Sequence, residues 1–98
     1  MYKVLVADDH AIVRAGISYL VNQQAGFEVV DETASGTDTY MRIERGDIDI
    51  VIMDLSMPPG ESGLITTERI HDKFPDVKII ILSMHEDQEY INKAMHNG

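Results

Sequence analysis

The chain has no cysteine. A disulfide framework and a thiolate metal site are therefore both excluded. It is poor in bases: 8 Lys and Arg stand against 17 Asp and Glu, a formal net charge of −9. Phosphate contacts need a basic face, so this shortage argues against nucleic-acid binding by these residues. No apolar stretch approaches the length that spans a bilayer, and Met1-Tyr2-Lys3-Val4 lacks the long apolar core of a secretory signal. No Gly-x-Gly-x-x-Gly follows the first apolar run, which disfavours a Rossmann nucleotide unit. Internal repeats, low-complexity tracts and linkers are absent too. The lack of cysteine is compatible with a reducing cytoplasm, where the chain is expected to reside.

What is present fits one small domain of 98 residues, 44% of them hydrophobic. Val4-Leu5-Val6-Ala7 and Ile50-Val51-Ile52-Met53 are unbroken apolar runs, as in strands buried on both faces of a parallel sheet. The first strand is expected over about 3–7. A helix follows from about Ala11 to Gln23, with Val13, Ile17, Leu20 and Val21 at helical spacing. Gly26 breaks it, and Phe27 to Thr33 reads as the second strand. Gly36 and Thr37 open a second helix, which Gly46 ends. Residues 49–53 form the third strand. The loop Met57-Pro58-Pro59-Gly60-Glu61-Ser62-Gly63 leads to a third helix, stopped near Phe74 by Pro75. Val77 to Leu82 is the fourth strand, and about Glu86 to His96 the fourth helix. Strand and helix alternating at these lengths imply right-handed crossovers and a doubly wound parallel α/β sheet.

Asp8 and Asp9 follow the first apolar run, and Asp54 follows the second. Open α/β sheets bind ligands at the carboxyl ends of their strands. Three acids converging there form a hard-oxygen site for a small divalent cation, Mg2+ foremost. The alternative is that they are unrelated strand-end or helix-capping acids. The repetition at two strand ends, one with a doubled Asp, favours the site. His10, His71, His85 and His96 show no zinc-ligand spacing, and His10 is read as the start of the first helix. Arg14 is assigned either to the solvated side of that helix or to the acidic cluster. Met41, Met53, Met57, Met84 and Met95 are read as mostly core or loop filler.

Asn97-Gly98 looks like a helix C-cap. A cap usually hands the chain to another element. The run Val77-Lys78-Ile79-Ile80-Ile81-Leu82 would also be left as an exposed sheet edge. The expectation is therefore a fragment, or a sheet that another chain completes.

Lys3-Val4-Leu5-Val6-Ala7-Asp8-Asp9-His10, Ile52-Met53-Asp54-Leu55-Ser56-Met57-Pro58 and Ile81-Leu82-Ser83 together resemble the receiver domain of a bacterial two-component response regulator. The likeness covers essentially all 98 residues. Asp9-His10-Ala11-Ile12-Val13-Arg14-Ala15-Gly16-Ile17 is similar to the NarL/LuxR-type subfamily, in which a helix-turn-helix DNA-binding domain follows the receiver. The stretch from Met53 to Leu64 most resembles oxygen- and nitrate-responsive regulators of Gram-positive bacteria. The resemblance implies a flavodoxin-like sheet of order 2-1-3-4, lacking a fifth strand and fifth helix after Gly98. The fifth strand's phosphate-binding Lys and aromatic switch residue are not in these residues. A further departure is Gly63, five residues after Pro58 where the family commonly has four.

The resemblance also implies roles. Asp54 is the phosphoacceptor for a phosphohistidine on a sensor histidine kinase. Asp9, Asp54 and the backbone carbonyl of Ser56 hold Mg2+, and Asp8 does so either directly or through water. Ser83 donates a hydrogen bond to the phosphoryl group and acts as the switch. The side chains of Ser56 and His85 flank Asp54 and tune the lifetime of the acyl phosphate; His10, next to the acidic pair, could touch the phosphoryl region, but the start of the first helix is the favoured reading. Homodimerisation on activation is implied, as is DNA contact through a domain beyond residue 98; a membrane is not. Without the fifth strand, poor phosphorylation is expected. Two rivals stand beside this. One is a receiver-like interaction domain that works without phosphorylation, against which the set Asp8, Asp9, Asp54 and Ser83 argues. The other is a phosphohydrolase of the haloacid-dehalogenase type, disfavoured because Asp8 and Asp9 are adjacent and no Asp-x-Asp occurs there.

Overall fold

A computed structural model describes residues 1–54 and 63–82 of the chain. Their elements run β1 (Tyr2–Ala7), α1 (Ala11–Asn22), β2 (Phe27–Thr33), α2 (Gly36–Glu44), β3 (Ile50–Asp54), α3 (Gly63–Lys73) and β4 (Lys78–Leu82). The four strands form one sheet in the order β2-β1-β3-β4, every pair parallel. This is the order expected from the sequence. The expected fourth helix, most of the Met57–Gly63 loop, and Ser56, Ser83 and His85 lie outside the described residues.

β1 occupies the centre of the sheet, which explains its unbroken apolar run. Val4, Leu5, Val6 and Ala7 are all buried, with exposures of 1% or less. Alternation along a strand sends Leu5 and Ala7 to one face and Val4 and Val6 to the other. On the first face Leu5, Ala7, Val51, Met53 and Ile79 pack with Ile43 of α2 and Ile70 of α3, and Ile48 joins them. Burying each such aliphatic side chain is worth about 1.5–3 kcal/mol. Tyr40 and Phe74 pack against this core, their rings tilted at 5.6 Å.

The helices begin and end for local reasons. Ser35 caps α2 by accepting the Asp38 N–H at 3.1 Å. Gly46, at φ 95°, takes the left-handed conformation that ends α2, and its N–H closes on the Ile43 carbonyl at 2.9 Å. Gly26, at φ 91°, turns the chain from α1 into β2, as its place in the sequence suggested.

Two expectations change. The stripe Val13, Ile17, Leu20, Val21 does not define the buried face of α1. Ser18 is the buried residue, Ile17 and Val21 are half-buried, and Leu20 is 64% exposed. The helix lies along β1 and β2, so its inward arc centres on Ser18 and leaves Leu20 to the side. Met41 is exposed, whereas Met53 is completely buried. Among the described residues, no helix is long and apolar enough to cross a membrane.

Candidate metal centre

Sheet register builds the site. Ala7 pairs with Met53, so the next residue of each strand, Asp8 and Asp54, emerges at the same rim. The Asp8 N–H still reaches across to the Thr33 carbonyl at 3.0 Å, which fixes the backbone as it leaves β1. Asp8 is 3% and Asp54 2% exposed. Asp9 points into the same region with its side chain about three-quarters buried, 24% exposed. One ligand atom each from Asp8, Asp9, His10 and Asp54 lies within 4.8 Å of the others.

The sequence favours His10 as the beginning of α1 over a side chain that touches the phosphoryl region. His10 does precede that helix as its N-cap residue, but its ring also joins the acids. Its backbone N–H donates to Asp8 Oδ1 at 2.8 Å. Its Nδ1 lies 3.1 Å from Asp8 Oδ1 and 3.0 Å from Asp9 Oδ1. The hydrogen bond with Asp8, followed by the charge of Asp9, raises its pKa above the ordinary 6.5. Asp9 Oδ1 is buried and, although close to the ring nitrogen, takes no well-directed hydrogen bond from any described residue.

Arg14 belongs beside the cluster rather than on the far side of α1. Its guanidinium donates to the Asp8 backbone carbonyl at 2.7 Å and to Glu32 at 3.1 Å. This pins the turn between β1 and α1 without neutralising the carboxylates themselves.

The donor set suits a small divalent cation. Three carboxylates in one place supply hard oxygens and compensate a double positive charge. The orphaned Asp9 oxygen gives a cation something to satisfy. Asp8, Asp9 and Asp54 are thus brought together as the sequence suggested. Little in the sequence points to the ring: the histidines show no metal-ligand spacing to one another, and the one signal is the adjacency of His10 to the Asp pair. Ser56, Ser83 and His85, being outside the described residues, are neither joined to the cluster nor separated from it.

Comparison with known proteins bears on this arrangement. Residues 4–98 match the family described as the response regulator receiver domain. The chain is 51% identical over 96 residues to the oxygen regulatory protein NreC of Staphylococcus carnosus (strain TM300), covering 98% of this chain and 44% of that protein. It therefore spans less than half the length of the curated relatives it matches. A LuxR-family two-component response regulator from Aurantimonas sp. SI85-9A1 superposes with a TM-score of 0.89 at 33% identity, over 98% of this chain and 68% of that one. The isolated REC domain of RcsB from Salmonella enterica serovar Typhimurium, solved with the phosphomimetic BeF3−, gives a TM-score of 0.92 at 30% identity, over 98% and 71%. RcsB bound to the promoter P1flhDC gives 0.90 at 30% identity, over 98% and 48%.

Proposed function

Since the chain belongs to the response regulator receiver domain family, with LuxR-type regulators among its relatives, we propose that Asp54 is its phosphoacceptor and Asp8, Asp9 and Asp54 its Mg2+ ligands. The phosphoryl donor is a phosphohistidine of a sensor histidine kinase. One observation carries the reading: a carboxylate only 2% exposed at the end of β3 stands with two further acids inside a 4.8 Å cluster. Burying that much like charge is costly unless a cation joins it.

Asp54 brings an anionic oxygen to an anionic phosphoryl group, and that mutual repulsion is the main barrier. Asp8, Asp9 and Asp54, with the Ser56 backbone carbonyl as a further oxygen, would hold Mg2+, which when bound would supply the charge neutralisation. An Asp54 oxygen attacks phosphorus as the donor P–N bond breaks, and the departing imidazole takes up a proton. Arg14, by holding the Asp8 carbonyl, fixes where the acidic pair points. Ser83 donates its hydroxyl hydrogen to the new phosphoryl oxygens, and the Ser56 and His85 side chains set how long the phosphate persists. Chemistry at this site is self-modification and self-dephosphorylation at most, not turnover of a substrate.

The added charge draws the segment from Ser83 to Glu89 toward the strand ends, which is the switch. In the whole protein this movement controls homodimerisation and a helix-turn-helix domain, through which DNA is contacted in the cytoplasm. Support for that output comes from RcsB, whose BeF3−-treated form has been solved on promoter DNA. The test is phosphoramidate with Mg2+, followed by intact mass and peptide mapping. A slow, Mg2+-dependent gain of one phosphoryl group on Asp54, absent from Asp54→Asn, is expected. Equal labelling of Asp54→Asn would overturn the assignment. Complete inertness to phosphoramidate and to beryllofluoride would favour a receiver-like interaction domain that works without phosphorylation.

A further inference from the structure

The geometry points to His10 Nδ1 as a nitrogen ligand of the ion held by Asp8, Asp9 and Asp54, which makes the site suited to a Mn2+- or Co2+-type ion as well as to Mg2+. This rests on the reading above that the acids hold a divalent cation.

Neighbouring ligands of an octahedral ion with bonds near 2.1 Å stand about 3 Å apart, and opposite ones about 4.2 Å apart. His10 Nδ1 lies 3.1 Å from Asp8 Oδ1 and 3.0 Å from Asp9 Oδ1, the spacing of neighbouring ligands. The whole set, Asp54 included, falls within 4.8 Å. That 4.8 Å span exceeds the roughly 4.2 Å between opposite octahedral ligands, so the set has to contract to grip one ion. Backbone contacts already hold His10 beside the acids. The His10 N–H donates to Asp8 Oδ1 at 2.8 Å, and Arg14 anchors the Asp8 carbonyl. The imidazole is 61% exposed, so it can adjust, and it leaves an entry path from solvent. Asp9 Oδ1, buried and without a hydrogen bond from a described residue, faces the same nitrogen.

Coordination through Nδ1 leaves the ring proton on Nε2, and a proton carried on Nδ1 passes to solvent as the ion binds. Mg2+ is hard and gains little from imidazole in place of water. Mn2+ and Co2+ accept nitrogen readily. His10 therefore sets metal preference, a role distinct from starting α1.

The experiment compares wild type with His10→Ala at one fixed pH. His10 is exposed, so the variant should fold, which circular dichroism checks. Calorimetry follows Mn2+ and Mg2+ separately, and pulsed electron paramagnetic resonance of the Mn2+ form reads nitrogen-14 coupling. Wild type should show the coupling and His10→Ala should lack it. Mn2+ affinity should fall by about tenfold or more, a loss typical even of outer-shell partners, with Mg2+ affinity far less changed. Bound Mn2+ without nitrogen coupling in wild type would overturn the inference. So would equal losses for both ions, or tighter binding of both, which would make His10 a competitor for the carboxylates. Those results leave the Mg2+ reading intact, whereas a wild type that binds neither ion overturns both.

Discussion

Gly36 opens α2 against Thr66 of α3, and both residues are buried. A Cβ placed on Gly36 would overlap Thr66 Oγ1, with Thr66 Cβ and Cγ2 at 3.5 and 3.7 Å. Thr66 is short and fully buried, so it has no flexible end to swing aside. Overpacking of this kind costs about 1–3 kcal/mol. Replacing Gly by Ala also restricts the unfolded chain, which stabilises by about 0.4–1 kcal/mol. The clash is the larger effect, so Gly36→Ala should lose about 1–2 kcal/mol net. At about 4–8 °C per kcal/mol for a domain of this size, the melting temperature should drop by roughly 5–15 °C. Gly16, in α1, has nothing within 4 Å of the same added atom. Gly16→Ala should therefore stabilise by about 0.5–1 kcal/mol through helix propensity alone. Urea and thermal unfolding of both variants, with Thr66→Ala and Gly36→Ala/Thr66→Ala completing a double-mutant cycle, make the test. Thr66→Ala removes the opposing oxygen, so the double variant should be better than additive. A Gly36→Ala protein as stable as wild type, or strict additivity with Thr66→Ala, would refute the close approach of α2 and α3.

Other consequences concern polar groups. Thr39 is fully buried; its hydroxyl donates to the Ser35 carbonyl and accepts from Thr33 Oγ1, both at 2.7 Å. Thr39→Val strands both partners and should cost about 1–3 kcal/mol in urea unfolding; a loss well below that range would mean the hydroxyl chain is unimportant. His10 binds its proton more tightly in the folded state, because Asp8 and Asp9 raise its pKa above 6.5. Its stabilisation is complete below that ordinary value and disappears as pH rises through the raised one. In chelator-treated protein, the advantage of wild type over His10→Ala should shrink across that interval; an advantage that grows with pH would contradict the contact.

Much of the fold could be read from the sequence because its signals are local. Continuous apolar runs at 4–7 and 50–53 mark the two central strands, although only the first is fully buried on both faces and Ile50 and Ile52 are half-buried; glycines at 26 and 46 mark turns that need positive φ. The convergence of Asp8, Asp9 and Asp54 could be read because strand ends of a parallel sheet share a rim. The orientation of α1 could not, because apolar spacing names a stripe but not what lies opposite it. Leu20 fits the stripe and is mostly exposed, while Ser18 breaks it and is buried. The same limit hid His10 and Arg14. Their contacts depend on how the turn after β1 folds back, a tertiary fact that neither residue type announces.

The most direct test of the central claim is a Mg2+ titration followed by melting temperature, with and without beryllofluoride, on wild type and Asp54→Asn. Binding to the native state at ten times the dissociation constant should stabilise wild type by about 1.4 kcal/mol. Beryllofluoride should add a further increase only when both Mg2+ and the Asp54 carboxylate are present. No response of wild type to Mg2+, or the same beryllofluoride response in Asp54→Asn, would contradict the account.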